Sequence, residues 1–64
     1  MYSQLLNIIN QLQKEINGAT DVKTLDALLE KRTEAIETLE NYTIENELDM
    51  NKTYDDIAKA MGKN

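Results

Sequence analysis

Between Gly18 and Gly62 nothing in this chain is built to break a helix: proline is absent and these are the only two glycines. Proline removes a backbone donor and glycine costs about 1 kcal/mol in a helix interior, so their absence leaves long helices unopposed. Ala, Leu, Glu, Lys and Gln, all good helix formers, fill much of the sequence, while Phe and Trp are missing and Val occurs once. Strands have little support from such a composition.

The hydrophobic spacing divides the helical chain into three. Tyr2, Leu5, Ile9, Leu12 and Ile16 recur at intervals of three and four, one face of a helix over about 2–17, with Leu6 and Ile8 widening that face. Asn17 and Gly18 end it, glycine being the residue that takes a left-handed C-terminal conformation without steric cost. Thr20 or Asp21 is the N-cap of a second helix, over 21–42 or longer. Its seam is Val22, Leu25, Leu29, Ile36 and Leu39, flanked by Leu28, Ala35 and Tyr42. Residues 43–52 (TIENELDMNK) are either a continuation or a break. Thr53 reads as the N-cap of a third helix over 54–61, with Asp55 and Asp56 in its first turn, where the helix dipole favours acids. Tyr54, Ile57, Ala58 and Met61 mark its apolar face and Gly62 its end.

The expected fold is therefore all-α and a single domain spanning residues 1–64: an antiparallel helical hairpin plus a short C-terminal third helix. The connection after Ile16 is short, so the first two helices are antiparallel neighbours. Ile16 is then expected opposite Val22 and Tyr2 near Ile36, with Leu39 and Tyr42 overhanging and the third helix folding back over them.

Sixty-four residues hide only about 60% of the surface their unfolded chain exposes. Chains of this size usually need a disulfide, a metal or a second chain. Cysteine and histidine are absent, which removes disulfides and the usual zinc ligands. What remains is association. Leu6, Ile8, Leu28 and Ala35 flank the seam and are expected to stay wet in a lone hairpin. With Arg32, the one polar interruption of the second helix's seam, they form the expected oligomer interface, in which two hairpins pair into a dimeric helical bundle. Arg32 has two readings: a stem lying along the seam with its head in water, or a device fixing register through an acid across an interface. A solitary three-helix bundle is the alternative architecture.

Chemistry finds little to work with. The chain has one serine, Ser3, and no base beside it for nucleophilic catalysis. Twelve carboxylates are present, but a bundle this small has no room for the dry cleft that tunes them as acid and base. The expectation is no enzyme, no catalytic residue and no cofactor. Oxygens alternate along Asp49 to Asp55 as they do in a calcium loop, but Tyr54 and Ala60 stand where such a loop needs Gly and Glu, so no metal site is expected. The segment TYDDIAKAMGKN resembles the first helix and turn of a helix-turn-helix, an Ile-Ala pair preceding a Gly-containing turn. That resemblance implies a DNA-binding regulatory module using the C-terminal helix, although no recognition helix follows in the sequence. Asn41-Tyr42-Thr43 and Asn51-Lys52-Thr53 match the glycosylation sequon; without a secretory signal these read as chance matches.

Charge carries the remaining signal. The net charge is -5. Residues 1–33 hold four acids (Glu15, Asp21, Asp26, Glu30) and four bases (Lys14, Lys23, Lys31, Arg32), and residues 34–64 hold eight acids against Lys52, Lys59 and Lys63. The whole surplus lies in the second half. Glu37, Glu40, Glu45, Glu47, Asp49, Asp55 and Asp56, with Glu34, form an acidic stretch interleaved with Tyr42, Ile44, Leu48, Met50 and Tyr54. Such a surface is repelled by phosphate backbones and anionic lipid and suits a basic protein groove. The expected function is that of a small acidic regulatory or inhibitory protein. Its partner would be another protein, met at a basic surface such as one that binds nucleic acid, with Tyr42, Leu48, Met50 and Tyr54 as apolar anchors. No direct nucleic-acid contact and no membrane contact are expected. A structural subunit or chaperone-like hairpin gripping a helix through Leu6, Ile8 and Leu28 is a further reading. The start, MYSQLLNIINQ, lacks the basic and long apolar regions of a signal peptide, so a cytoplasmic location is expected. Abundant Asn, Ile and Lys with a single Arg suggest the AT-rich coding of low-GC bacteria and their phages.

Overall fold

The computed structural model describes residues 1–62 and consists of three α-helices: α1 (Tyr2–Gly18), α2 (Val22–Glu45) and α3 (Met50–Ala60). No strand occurs among the described residues. α1 and α2 form the antiparallel hairpin, and α3 folds back over the end away from the α1–α2 turn.

Each boundary has a local cause. Asp21 caps α2, its carboxylate accepting from the Thr24 backbone N–H at 3.1 Å. Gly18, by contrast, does not act as a left-handed terminator: it is the last helical residue of α1, and the extended backbone of Ala19 turns the chain. Left-handed φ among the described residues is confined to Glu47 (φ 54) and Gly62 (φ 79). Gly62 closes α3 as the sequence suggests. Glu47 closes α2, in a Schellman reversal where Leu48 N–H bonds the Thr43 carbonyl at 2.9 Å and Glu47 N–H bonds that of Ile44 at 3.2 Å. The Asn46 side chain ties the same end to the Tyr42 carbonyl at 2.8 Å. Helix 2 thus continues past Asn41 into the ambiguous stretch, and only residues 46–49 are non-helical.

The third helix begins a full turn earlier than its sequence signals. Asp49, not Thr53, is its N-cap, accepting from the N–H groups of Asn51 (2.9 Å) and Lys52 (3.4 Å). Thr53 is instead buried inside the bundle, its hydroxyl 2.9 Å from that of Thr43, also buried. Both residues are suitable caps. The reversal ending at Leu48 leaves the Asp49 carboxylate at the start of the new helix, and pairing with Thr43 gives the Thr53 hydroxyl a partner in the core. Asp55 and Asp56 consequently fall in mid-helix, and Tyr54 turns to solvent, 52% exposed. The inward face of α3 is Thr53, Ile57, Ala60 and Met61.

The core is small: Leu5 and Ile9 from α1, Leu39 from α2 and Ile57 from α3. Each such side chain contributes about 1.5–3 kcal/mol on burial. Leu6 and Ala35, expected wet, pack against this cluster alongside Tyr2, Ile36, Ala60 and Met61. Leu39 is fully buried because α3 covers it, as the length mismatch between α1 and α2 suggests. At the other end Val22, expected on the seam opposite Ile16, is 72% exposed. Tyr2 meets Tyr42, ring centroids 6.5 Å apart, while Tyr2 and Ile36 pack against the same core cluster. Side chains lean toward their own helix N-terminus. Tyr2 at the start of α1 and Tyr42 near the C-terminus of α2 therefore meet at the end of the bundle away from the α1–α2 turn. No helix of the described residues is long and apolar enough to cross a membrane.

Candidate interaction surface

The charged residues of the second half divide into those tied down and those left free. Tyr2, at the start of α1, donates its phenol proton to Asp56 Oδ2 at 2.7 Å, and its oxygen lies 3.2 Å from the Thr53 hydroxyl. Lys52 Nζ bonds the same Asp56 oxygen at 3.0 Å and sits 5.9 Å from the Tyr2 ring centroid. Burial, and then donation to Asp56, push the Tyr2 phenol above its ordinary pKa. The hydrogen bond from Tyr2, then that from Lys52, hold the Asp56 carboxyl below the usual range. The bond to Asp56 raises Lys52. This group pins α3 to α1 at one end. At the other, Asn10 Nδ2 donates to the Ala60 carbonyl at 3.0 Å. α3 therefore runs alongside α1 in the same direction.

Three of the predicted acidic contacts are thus already engaged within the chain. Asp56 is half-buried and bonded to Tyr2 and Lys52, Asp49 caps α3, and Asp55 lies 3.4 Å from Lys59 in an exposed pair. An exposed pair of this kind contributes little and leaves the carboxylate accessible. Glu37, Glu40, Glu45 and Glu47 make no ion pair among the described residues. They follow the outer side of α2 into its C-terminal turn, and Glu40 alone of them is half-buried.

The apolar anchors divide similarly. Tyr42 is half-buried against Tyr2, and Met50 is half-buried at the start of α3. Leu48 and Tyr54 are 46% and 52% exposed. Ile44 is more exposed than either, at 64%. The sequence places it among the acids without marking it as an anchor, because a helix continuing through residue 44 is not evident there. Leu48 also lines a shallow depression of about 260 Å³ with Tyr2, Asp49, Lys52 and Thr53. Free carboxylates and exposed apolar side chains therefore concentrate at the α2–α3 corner. Among the described residues Glu45 and Glu47 have no cationic partner, so the corner presents a negative field around a greasy centre.

The expected oligomer-interface residues differ in burial. Leu6 and Ala35 belong to the core margin, Ile8 is exposed and Leu28 is half-buried. Arg32 bonds within its own chain, its Nη1 donating to Gln13 Oε1 at 2.6 Å, while its buried Nε has no partner among the described residues. No cluster of three or more potential metal ligands occurs among the described residues. Comparison with protein-family models, with curated proteins and with solved structures finds no match to this chain.

Proposed function

We propose that this chain is a non-catalytic binding module that regulates or inhibits a partner protein by docking its α2–α3 corner on a basic surface. The observation that supports this reading is the coincidence, over residues 44–54, of three exposed large apolar side chains (Ile44, Leu48, Tyr54) with Glu45 and Glu47, which make no ion pair among the described residues. Apolar anchors supply affinity and the surrounding charge supplies steering and choice of partner. A groove that normally holds nucleic acid has the complementary character, being basic with apolar or aromatic platforms. Occupying such a groove is inhibition without chemistry.

Immobilised chain exposed to an extract of its native host tests this. A basic protein should be retained at low salt and released as salt rises. The triple substitution Glu45→Gln, Glu47→Gln and Asp49→Asn keeps a good cap at residue 49 and removes three charges, so it should lose most of that retention. Equal retention by the triple variant would move the binding surface elsewhere on the molecule.

A further inference from the structure

The hairpin is closed by α3 at one end only. The 11 residues of α3 span about 16 Å and the 24 of α2 about 36 Å. Among the described residues, α3 hydrogen-bonds α1 no further along than Asn10. All four buried apolar side chains lie at the covered end. Toward the α1–α2 turn, Leu12, Ile16, Leu25, Leu28 and Leu29 line the seam, and every one is only half-buried. Five aliphatic side chains on the seam are thus left partly accessible at this end, where a lone apolar residue would be ordinary on a protein surface.

We propose that this open end is where a second copy of the same chain docks, the two hairpin ends overlapping about a two-fold axis with the acidic corners pointing apart. Charge selects this occupant. The exposed residues around the open end carry both signs: Lys14 and Glu15 on α1, Asp21 at the turn, and Lys23, Asp26, Glu30 and Lys31 on α2. Residues 1–33 carry no net charge, and the whole surplus of -5 belongs to the other half. A two-fold contact sets one patch against itself, so it needs balanced charge, whereas a strongly basic or acidic partner gains nothing from such a patch. Overlap at the open ends places the two acidic corners at opposite extremes of a particle longer than the single chain's 39 Å. That separation far exceeds the Debye length of about 8 Å at physiological salt. Parallel pairing along the full length of the hairpins would set corner against corner. The proposed surface is separate from the one assigned above to a basic partner, and it does not depend on that assignment.

Sedimentation equilibrium of the chain from micromolar to millimolar concentration, with small-angle scattering of the same samples, tests the proposal. The expected species has twice the 7.3 kDa mass of one chain and a maximum dimension well above 39 Å. Leu28→Glu should leave a monomer of unchanged helicity. Should that variant fail to fold, the double substitution Lys23→Glu and Lys31→Glu alters exposed residues only and should weaken the dimer at least about tenfold, or 1.4 kcal/mol. Ile44→Glu, at the far corner, should leave the dimer intact. A helical monomer at every concentration would overturn the proposal. So would a dimer no longer than one chain, or one disrupted by Ile44→Glu and indifferent to the lysine reversals.

Discussion

Gly18→Ala is the substitution on which sequence pattern and structure disagree in sign. A glycine just beyond an apolar helical run suggests a left-handed cap, and a left-handed alanine costs about 1–2 kcal/mol. In the structure Gly18 is helical, its φ is not positive, and a methyl group added there meets nothing within 4 Å. Alanine then fits without strain and narrows the unfolded ensemble, which stabilises by about 0.4–1 kcal/mol. For a domain of this size 1 kcal/mol moves Tm by about 4–8 °C, so the variant should melt about 2–8 °C higher. Far-UV circular dichroism at one fixed chain concentration measures this; holding concentration constant keeps any association from moving Tm by mass action. Gly62→Ala is the internal control. Its φ of 79° is the left-handed region, so it should lower Tm. A Gly18→Ala Tm that is unchanged or lower refutes the assignment of Ala19 as the residue that turns the chain.

Three further outcomes follow from the α2–α3 corner. Glu47→Gly removes the left-handed strain of a non-glycine residue, about 1–2 kcal/mol, but adds glycine's unfolded entropy, about 0.5–1 kcal/mol; denaturant unfolding should show a net gain of about 0–1.5 kcal/mol. Asp49→Ala should cost about 0.5–2 kcal/mol and Asp49→Asn only a few tenths, since asparagine caps as well as aspartate; equal losses would show that charge, not capping, matters at this residue. Because the folded Asp56 carboxyl titrates below its unfolded value of 3.8, its contribution is complete above that pH and is lost as pH falls through the lower folded pKa. Tyr2→Phe removes the first cause of that depression, so the Asp56 carboxyl carbon, followed by NMR, should titrate closer to 3.8; an unmoved titration would assign the depression to Lys52 alone.

Helix number, hairpin topology and the folding back of α3 over Leu39 were legible because they rest on period and length, which packing rarely overrides in long helices. The boundaries near residues 43–54 were not, for a specific reason. Asp49 and Thr53 are both good caps one turn apart, and the choice between them depends on a hydroxyl contact between Thr53 and Thr43, on the neighbouring helix, that no local pattern announces. Choosing Thr53 rotated the reading of α3, which put Tyr54 inward. A long-range contact withdrew Asp56 from the acidic surface, since nothing local in YDDIAK announces a tyrosine at residue 2 as its donor. The charge asymmetry between halves needed no structure at all. Its consequence did: only with α2 running to Glu45 do Ile44 and the free glutamates come to share a corner.

Backbone hydrogen exchange on the chain with its captured basic partner bound tests the central claim most directly. Amides of residues 42–56 should slow on complex formation, while those of residues 12–29, at the open end of the hairpin, should exchange as they do without that partner. Slowing confined to residues 12–29, with the corner unchanged, would contradict the assignment of the acidic corner as the surface that grips the partner.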